Sequence, residues 1–228
     1  MKSNRTQNPP ASQPGRRLAV FFPGIGYTND RPLLYFSRRL AAERGYDVKL
    51  LNYGGFPTGV RGDRAKMAAC CRLALSQAEA MLADTDFFAC DDILFVGKSV
   101  GTIVAARLAA KSPVGDRIRL VLYTPLEDTF VYAFGPAIAF TGTADPWVGS
   151  GNAIPRICRE RGIPCSVLPD ANHSLETGGC LADVRALTQI METTARFIDR
   201  RPLEIEPNAA ETGTQAAEAR PRAAEASP

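Results

Sequence analysis

The sequence contains a single histidine among 228 residues, His173, and this scarcity excludes two classes of site. A metal site built from several imidazoles needs more than one histidine, and so does a multi-histidine proton relay. None of the six cysteines stands in a C-x-x-C pair, the usual spacing of thiolate metal and redox motifs. We therefore expect no metal, no cofactor, reduced cysteines that act as small buried hydrophobic residues, and imidazole chemistry only at His173.

An excess of one charge and long apolar runs are also missing. The 27 basic and 24 acidic residues leave a net charge of +3, too little to attract nucleic acid or an anionic membrane strongly. The longest stretch without a charged residue, 129–144, is shorter than the roughly 18–20 residues of a membrane helix. The basic N-terminal segment lacks the apolar core of a secretory signal. These features predict a cytoplasmic protein whose partner is neither nucleic acid nor membrane.

The two ends of the chain differ in composition from the interior. Residues 1–16 are rich in Pro, Ser, Asn and Gln, residues 203–228 are rich in Ala, Glu and Pro, and both lack aromatic residues. Such segments bury too little apolar surface to offset the entropy lost on ordering. We predict a disordered tail at 1–16, one α/β domain over 17–202, and a second disordered tail at 203–228.

Short apolar runs alternate with helical patterns through the interior, and this alternation is typical of β-α units around a parallel sheet. The predicted strands are Arg17–Phe22, Asp47–Asn52, Ile93–Gly97, Ile118–Tyr123, Ala137–Thr141 and Pro164–Leu168. The predicted helices are Pro32–Arg44, Arg64–Ala83, Val100–Ala110, Asn152–Glu160 and Cys180–Arg200. In the second helix a stripe of Met67, Cys71, Leu75, Ala78 and Leu82 is expected to face the core. The fold class is therefore a three-layer α/β sandwich with a mostly parallel sheet of about six strands.

The third predicted strand runs directly into Gly97-Lys98-Ser99-Val100-Gly101 and then into a helix. This is a G-x-S-x-G pattern in the strand, turn and helix setting of a nucleophile elbow. A serine in such a sharp turn needs a glycine on either side, because side chains there would collide with the strand and the helix. Ser99 is therefore the candidate nucleophile, although a serine at a helix start also serves as an ordinary cap.

An acid and a base follow at the ends of later strands. Asp145 comes after the fifth strand and His173 after the sixth, so both are expected at the same sheet edge as Ser99. The chain order Ser99, Asp145, His173 is that of a Ser-His-Asp triad on an α/β sheet. Taken alone, an aspartate in a turn or a lone histidine has ordinary structural roles, and only their joint occurrence favours a catalytic triad.

Four segments within residues 21–176 together resemble the α/β-hydrolase superfamily, and in particular small, lidless bacterial serine hydrolases of the dienelactone-hydrolase-like and esterase-like kind. The segments are FFPGIGYT, FVGKSVGT, FTGTADPWV and DANHSLE. The chain departs from many members in having Pro23 where a histidine commonly precedes the first glycine. Residues 1–16 also cannot form the two antiparallel strands that often come first. The resemblance implies an α/β-hydrolase sandwich.

The Gly-rich loop after the first strand is the candidate oxyanion hole. Two backbone N–H groups that point at the substrate carbonyl oxygen can each lower the barrier by about 3 kcal/mol. By position the donors are the N–H of Val100, directly after the nucleophile, and that of Ile25, with Gly26 as the alternative in the loop. Gly24 lets the backbone approach the substrate closely.

The sequence allows more than one role for Glu127, Asp128 and Lys98. Glu127 and Asp128 follow the fourth strand, where some α/β-hydrolases carry the triad acid, and they are rivals of Asp145 for that role. They are also candidate partners for Lys98 or parts of the substrate site. Lys98 either biases the pocket toward anionic substrates or packs its stem under the elbow with its charge paired.

Only about a dozen residues separate Tyr123 from Ala137, which leaves no room for an inserted lid, so we expect a shallow, open site. The predicted walls of this site are Tyr27, Leu126, Phe130 and Trp147. The leading hypothesis is a serine esterase acting on a small-molecule acyl substrate, with thioesterase or acyltransferase activity as variants. The alternative is a non-catalytic α/β-hydrolase-fold protein that binds a ligand or partner, because a fold does not determine function. A separation of Ser99 and His173 beyond hydrogen-bonding distance would favour the binder.

Overall fold

The structure of the protein is a computed structural model that describes residues 15–148 and 153–203. Both predicted disordered tails lie outside the described residues, apart from positions 15, 16 and 203 at their inner ends. Among the described residues, every helix is too short or too polar to cross a bilayer.

Six parallel strands form a single sheet. They are β1 (Arg17–Phe22), β2 (Asp47–Leu50), β3 (Asp92–Lys98), β4 (Ile118–Tyr123), β5 (Ala137–Gly142) and β6 (Cys165–Leu168). The spatial order is β2-β1-β3-β4-β5-β6, and all five neighbouring pairs are parallel. The strands β1, β3, β4 and β5 are buried along almost their whole length because helices cover both faces of the sheet. The predicted fold class is confirmed, with a sheet that is wholly rather than mostly parallel over the described residues.

Five helices cover the two faces of the sheet. They are α1 (Pro32–Glu43), α2 (Arg64–Leu82), α3 (Val100–Lys111), α4 (Ile154–Glu160) and α5 (Cys180–Ile198). Helices α2, α3 and α4 contribute to one buried apolar cluster, and α1 and α5 contribute to the other. Alternate residues of β1 divide between these clusters, with Val20 and Phe22 on one face and Ala19 and Phe21 on the opposite face. This gives the three layers of the predicted sandwich.

The buried face of α2 differs from the predicted one. The residues that are buried are Cys70, Ala74, Leu75, Ala78 and Leu82, whereas Met67 and Cys71 are only half-buried. The row at positions 70, 74, 78 and 82 follows the i, i+4 spacing of a helix. Leu75, Ala78 and Leu82 are buried as predicted, and Met67 and Cys71 pack against the same core cluster but stay half-buried. Met67 also faces a groove that is described below.

The prediction that all six cysteines are buried is also wrong in part. Cys70, Cys90 and Cys158 are buried, Cys71 and Cys165 are half-buried, and Cys180 is exposed at the first turn of α5. Apolar character in the sequence does not reveal which cysteine lies at a helix end that faces solvent.

The strand order determines where a site can form. From β1 the chain turns to β2 on one side, and it later crosses to β3 on the other side of β1. At such a switch in direction the connecting helices lie on opposite faces, and a crevice opens beyond the carboxyl ends of the two strands. The Gly24 loop follows β1 and the Ser99 turn follows β3, so both candidate segments lie at this crevice. Residues 124–136 contain only a short 3₁₀ helix, Glu127–Val131, and no inserted domain.

Candidate active site

Ser99 lies in the sharp turn between β3 and α3. Its backbone adopts φ 54° and ψ −122°, a left-handed conformation that is unfavourable for a residue with a side chain. The turn is closed by a 3.0 Å hydrogen bond from the Ser99 N–H to the Tyr123 carbonyl oxygen. A Cβ atom added at Gly101 would lie 2.0 Å from the Phe22 carbonyl oxygen, and one at Gly97 would lie 2.8 Å from the Thr102 Cα. Both glycines are therefore required by close backbone approach.

Ser99, His173 and Asp145 form one chain of hydrogen bonds. His173 Nε2 lies 2.8 Å from Ser99 Oγ, and His173 Nδ1 lies 2.7 Å from Asp145 Oδ2. The Asp145 side chain is fully buried, and its Oδ1 accepts a 2.9 Å hydrogen bond from the Trp147 N–H. Each of the three residues follows the carboxyl end of a different strand, β3, β5 or β6, and the parallel arrangement brings these ends to one edge.

The loop that carries His173 is shaped by its own hydrogen bonds. Asn172 Oδ1 accepts from the backbone N–H groups of Ser174, at 2.7 Å, and Glu176, at 3.3 Å. The Asn172 N–H in turn donates to the Glu176 carbonyl oxygen at 2.9 Å, and Leu175 adopts a left-handed φ of 60°. An asparagine side chain that bonds to the backbone ahead of it stabilises a tight turn of this kind. The imidazole is thereby held on a compact loop rather than on a free segment.

The rival acids lie apart from His173. Glu127 and Asp128 are exposed on the 3₁₀ helix after β4, whereas Asp145 makes the contact with the imidazole. Over the described part of the chain, neither Glu127 nor Asp128 forms an ion pair or a side-chain hydrogen bond. The considered pairing of either carboxylate with Lys98 is therefore wrong.

The Gly24 loop is a tight turn that packs against Ser99. Gly24 and Tyr27 exchange backbone hydrogen bonds of 3.1 and 3.4 Å, with Gly26 between them at φ 70°. A Cβ atom added at Gly24 would lie 3.2 Å from the Ser99 Cβ, so this backbone closely approaches the serine. Among the described residues, the N–H groups of Ile25 and Val100 donate to no protein acceptor. Two unpaired donors therefore flank the serine, and their assignment as an oxyanion hole stays a prediction.

Lys98 is buried between the elbow and the layer formed by α1 and α5. Its side chain is 1% exposed, and its Nζ lies 4.9 Å from the centre of the Tyr27 ring. No carboxylate of the described residues lies within ion-pair distance of the amine. Burial lowers the pKa of Lys98 to about 7, against the weaker opposing effect of Asp145 and Glu176. The predicted packing under the elbow is present, but the predicted pairing of the charge is not.

The electrostatic environment of His173 favours its neutral form. Burial lowers the pKa of His173 below its ordinary value of 6.5, and the positive charge of Lys98 lowers it further. The hydrogen bond from Nδ1 to Asp145 acts in the opposite direction but is outweighed. At neutral pH the ring is therefore uncharged, and with Nδ1–H donating to Asp145 its Nε2 is free to accept a proton from Ser99.

A groove of about 500 Å³ opens beside the triad. Its lining includes the predicted walls Leu126 and Trp147, and the Trp147 ring lies 5.3 Å from the His173 ring at an angle of 31°. Glu127 and Asp128 line it as well, as do six residues that sequence reasoning did not assign to the site: Val60, Gly62, Asp63, Arg64, Met67 and Ala68. The missed residues come from the loop after β2 and the start of α2, which carry no motif. In the structure, the half-buried apolar side chain of Met67 indicates that this part of the chain faces the groove.

The two other predicted walls lie elsewhere. Phe130 is 3% exposed and its ring packs against Phe134 at 6.4 Å, so it belongs to the core behind the groove. Tyr27 is 8% exposed, and its hydroxyl accepts a 3.1 Å hydrogen bond from the Leu33 N–H at the start of α1. Tyr27 also lines a separate, mainly apolar pocket of about 390 Å³ that includes Leu175 and Leu187. Among the described residues, no cluster of three or more His, Cys, Asp or Glu side chains is placed to hold a metal ion.

The sequence matches no protein-family model and no curated protein. Solved structures do resemble the fold. Est1E from Butyrivibrio proteoclasticus has a TM-score of 0.59 at 13% identity, with 83% of this chain and 89% of that chain covered. An alpha-beta serine hydrolase homologue from Coxiella burnetii has a TM-score of 0.57 at 18% identity, covering 83% and 88%. The Pyrococcus furiosus esterase Pf2001 has a TM-score of 0.53 at 15% identity, covering 82% and 84%.

These likenesses agree with the strand order, the elbow after β3 and the crevice between β1 and β3. At such low identity a shared structure speaks for the fold and leaves the chemistry to be argued from the residues themselves. The chain has the α/β-hydrolase fold.

Proposed function

We propose that this protein is a serine hydrolase that cleaves a carboxylic ester or a related acyl substrate through an acyl-enzyme intermediate. The observation that carries the proposal is the continuous hydrogen-bond chain from Ser99 Oγ through His173 to Asp145. The Ser99–His173 distance of 2.8 Å is within hydrogen-bonding range, which argues against a purely binding role. The left-handed backbone of Ser99 adds support, because strain of this kind is found mainly where function requires it.

The first half of the proposed reaction forms the acyl-enzyme. Ser99 Oγ attacks the carbonyl carbon while His173 Nε2 takes the hydroxyl proton, and Asp145 accepts the Nδ1–H bond and stabilises the imidazolium. The negative charge that develops on the carbonyl oxygen is bound by the unpaired N–H groups of Val100 and Ile25. The tetrahedral intermediate collapses as His173 donates its proton to the leaving group, whose bond to the carbonyl carbon breaks.

The second half releases the acyl group by the same chemistry. Water replaces the leaving group, His173 Nε2 takes a proton from it, and the resulting nucleophile attacks the acyl carbon. Collapse of this second intermediate breaks the bond to Ser99 Oγ, which recovers its proton from His173. His173 carries out every proton transfer of the proposed reaction, and the two N–H donors only bind the oxyanion.

The groove beside Trp147 is the proposed site for the substrate. An apolar acyl or leaving group can pack on Leu126, Met67 and the Trp147 ring, next to the triad. Est1E, a solved structure that resembles this fold, has ferulic acid bound, which is an aromatic acid. Aryl esters are therefore the first substrates to try, followed by thioesters and amides with the same acyl group.

The proposal is tested by replacing the nucleophile and the base. Ser99→Ala should abolish labelling by a fluorophosphonate probe, and Ser99→Ala and His173→Ala should each lower aryl ester turnover by about 10⁴-fold or more, because members of a triad act as a unit. Labelling is read on a gel, and turnover is measured on the ester, thioester and amide panel. The panel also separates an esterase from a thioesterase, and added alcohols would reveal acyl transfer.

Ser112→Ala is the matched control, because Ser112 lies beyond the far end of α3 and a hydroxyl lost there should change neither readout. Full labelling of Ser99→Ala would contradict the proposal. A wild-type protein that neither reacts with the probe nor turns over any substrate would favour the alternative, an α/β-hydrolase-fold protein that only binds its ligand.

A further inference from the structure

Lys98 directly precedes the proposed nucleophile, and nothing in the triad mechanism uses it. Its side chain is 1% exposed and, within the described residues, makes no hydrogen bond or ion pair. Buried charged groups in proteins are normally paired, because removing an ammonium group from water is costly. The contact of the amine with the face of the Tyr27 ring, at 4.9 Å, offsets only a part of this cost. An amine kept at this position at a cost in stability calls for a functional account.

The groups that face Lys98 come from four elements. The loop after β1 contributes Tyr27, and β4 contributes its register partner Tyr123, whose hydroxyl bonds to Ser37 and Thr194. The segments after β5 and β6 contribute Asp145, Glu176 and the imidazole of His173. The two carboxylates favour the ammonium form from a distance, whereas burial opposes it and sets its pKa near 7. The amine is consequently charged below neutral pH and uncharged above it.

The contact of Lys98 with Tyr27 connects the amine to the Gly24 loop. Tyr27 closes that loop through its two backbone hydrogen bonds with Gly24 and anchors it to α1 through the hydroxyl that accepts from Leu33. The same loop carries the unpaired N–H of Ile25. A positive charge held on the Tyr27 ring is thus placed behind the loop at which the substrate oxygen would become negative.

We propose that Lys98 is a positioning residue of the proposed hydrolase, whose ammonium form supports the Gly24–Tyr27 loop and favours the negative charge that develops on the substrate oxygen. This inference rests on the proposed function and adds a second ionisation to it. The reaction then requires His173 uncharged and Lys98 charged at the same time. Activity should rise with pH as His173 loses its proton and fall again as Lys98 loses its own near pH 7, which gives a bell-shaped profile.

The experiment compares Lys98→Met with Lys98→Arg over pH 4–10, measuring kcat, KM and the rate of fluorophosphonate labelling. Lys98→Met should lower kcat by about ten- to a hundred-fold with little change in KM, as expected for the loss of one charge that favours the transition state. It should also lose the alkaline fall. Its acid limb should move to higher pH, because the cation that lowers the His173 pKa is gone. Lys98→Arg remains charged, so it should keep activity above pH 7 without an alkaline fall.

Two controls separate this role from a purely structural one. Tyr27→Phe keeps the ring under the amine and removes the hydroxyl that anchors the loop, so both limbs of the profile should remain whatever the rate. Lys98→Met should unfold at a higher denaturant concentration than the wild type, because it removes an unpaired buried charge. A structural lysine would behave in the opposite way and leave the profile unchanged.

The outcomes distinguish failure of this inference from failure of the proposed function. If the wild type loses activity at alkaline pH and both Lys98→Met and Lys98→Arg lose it in the same way, the proposed role of Lys98 is overturned. The proposed hydrolase function would then still stand. If Lys98→Met does not fold, Lys98→Arg alone decides, since it must lose the alkaline fall. A wild type without labelling or turnover at any pH overturns both proposals.

Discussion

Two buried cations lie at opposite edges of the parallel sheet, and their surroundings differ. Arg119, at the amino edge, is 3% exposed and bonds to both oxygens of Asp92, to the Tyr46 hydroxyl and to the carbonyl oxygens of Phe197 and Ile198 at the end of α5. Lys98, at the carboxyl edge, is buried to a similar degree, but its amine lies on the Tyr27 ring and forms no hydrogen bond or ion pair among the described residues. The cation at the amino edge, Arg119, is paired and fully hydrogen-bonded, whereas the cation at the carboxyl edge, Lys98, is unpaired.

The same contrast extends to uncharged groups. Three uncharged polar side-chain atoms of the described residues are buried without a hydrogen-bond partner, and all three follow carboxyl ends of strands: Asn29 Oδ1, Tyr53 Oη and Thr124 Oγ1. Four of the five described non-glycine residues with a left-handed φ also lie at this edge: Ser99, Thr124, Asp170 and Leu175. Strain and unpaired groups lower stability, and they persist where a site needs them. We infer that the amino edge mainly stabilises the fold and that the proposed chemistry lies at the carboxyl edge.

The largest expected effect is at the carboxyl edge. Asp145→Asn should lower kcat by about 10⁴-fold, because the amide no longer holds the His173 tautomer with Nδ1–H toward it and cannot stabilise the imidazolium. The change should leave the free energy of unfolding nearly unaltered, and both quantities are measured on the same preparation by aryl ester turnover and by denaturant titration.

The rival acids serve as the matched comparison. Glu127→Gln and Asp128→Asn change exposed carboxylates of the groove rim, and each should alter kcat by less than about tenfold. If either change lowered kcat by about 10⁴-fold, as expected for Asp145→Asn, the triad acid would be the residue changed, in the segment after β4, and Asp145 would have no part in the mechanism.

The next largest effect is expected at the amino edge. Arg119→Met should lower the free energy of unfolding by about 3–5 kcal/mol, because it removes a largely buried ion pair with Asp92 and the side-chain hydrogen bonds to the Phe197 and Ile198 carbonyl oxygens at the end of α5. Turnover per folded molecule, counted by fluorophosphonate titration, should stay within a factor of two.

Arg200 offers a control on the same carboxylate. Its guanidinium is 63% exposed and lies 3.3 Å from Asp92 Oδ1, so Arg200→Met should cost less than about 1 kcal/mol. If Arg119→Met instead impaired turnover while stability held, the division of roles between the two edges would be wrong.

The smallest expected effect is a range of acid pH in which activity is lost while the fold stays intact. Burial and Lys98 lower the His173 pKa, so on the acid side activity should fall about tenfold per pH unit below a midpoint that lies under 6.5. At the other edge burial raises the Asp92 pKa, but Tyr46 and Arg119 outweigh it and hold the pKa below 3.8. A carboxylate with a lowered pKa stabilises the fold above its ordinary value, and this contribution is lost as pH falls through the folded-state pKa.

Between these two values the protein should therefore be folded but inactive. Ester turnover and circular dichroism recorded on one pH series test this, and activity should return in full when the pH is raised again. Loss of activity and unfolding at a single common pH would mean that the amino edge gives the fold no protection from acid.

Most of the fold follows from local patterns that the sequence shows directly. Each strand end and helix end differs from its prediction by at most two residues, because apolar runs and helical periodicity are short-range signals. The short 3₁₀ helices Gly115–Arg117 and Glu127–Val131 carry no periodic signal and were not predicted. The elbow at Ser99 also shows in the sequence as a glycine pattern. Gly97 is required by a contact within the elbow itself, whereas Gly101 is required by the close approach of Phe22 at the end of β1, which lies far away in the chain.

The sequence by itself determined the strand and helix order, the elbow at Ser99 and the arrival of Asp145 and His173 at the same edge, because parallel strands place their carboxyl ends together. Only the tertiary structure decided which groups meet there. It placed Asp145 rather than Glu127 against His173, put Phe130 in the core, turned Met67 toward the groove and left Lys98 unpaired. Those outcomes depend on distances between segments far apart in the chain, which no local spacing encodes.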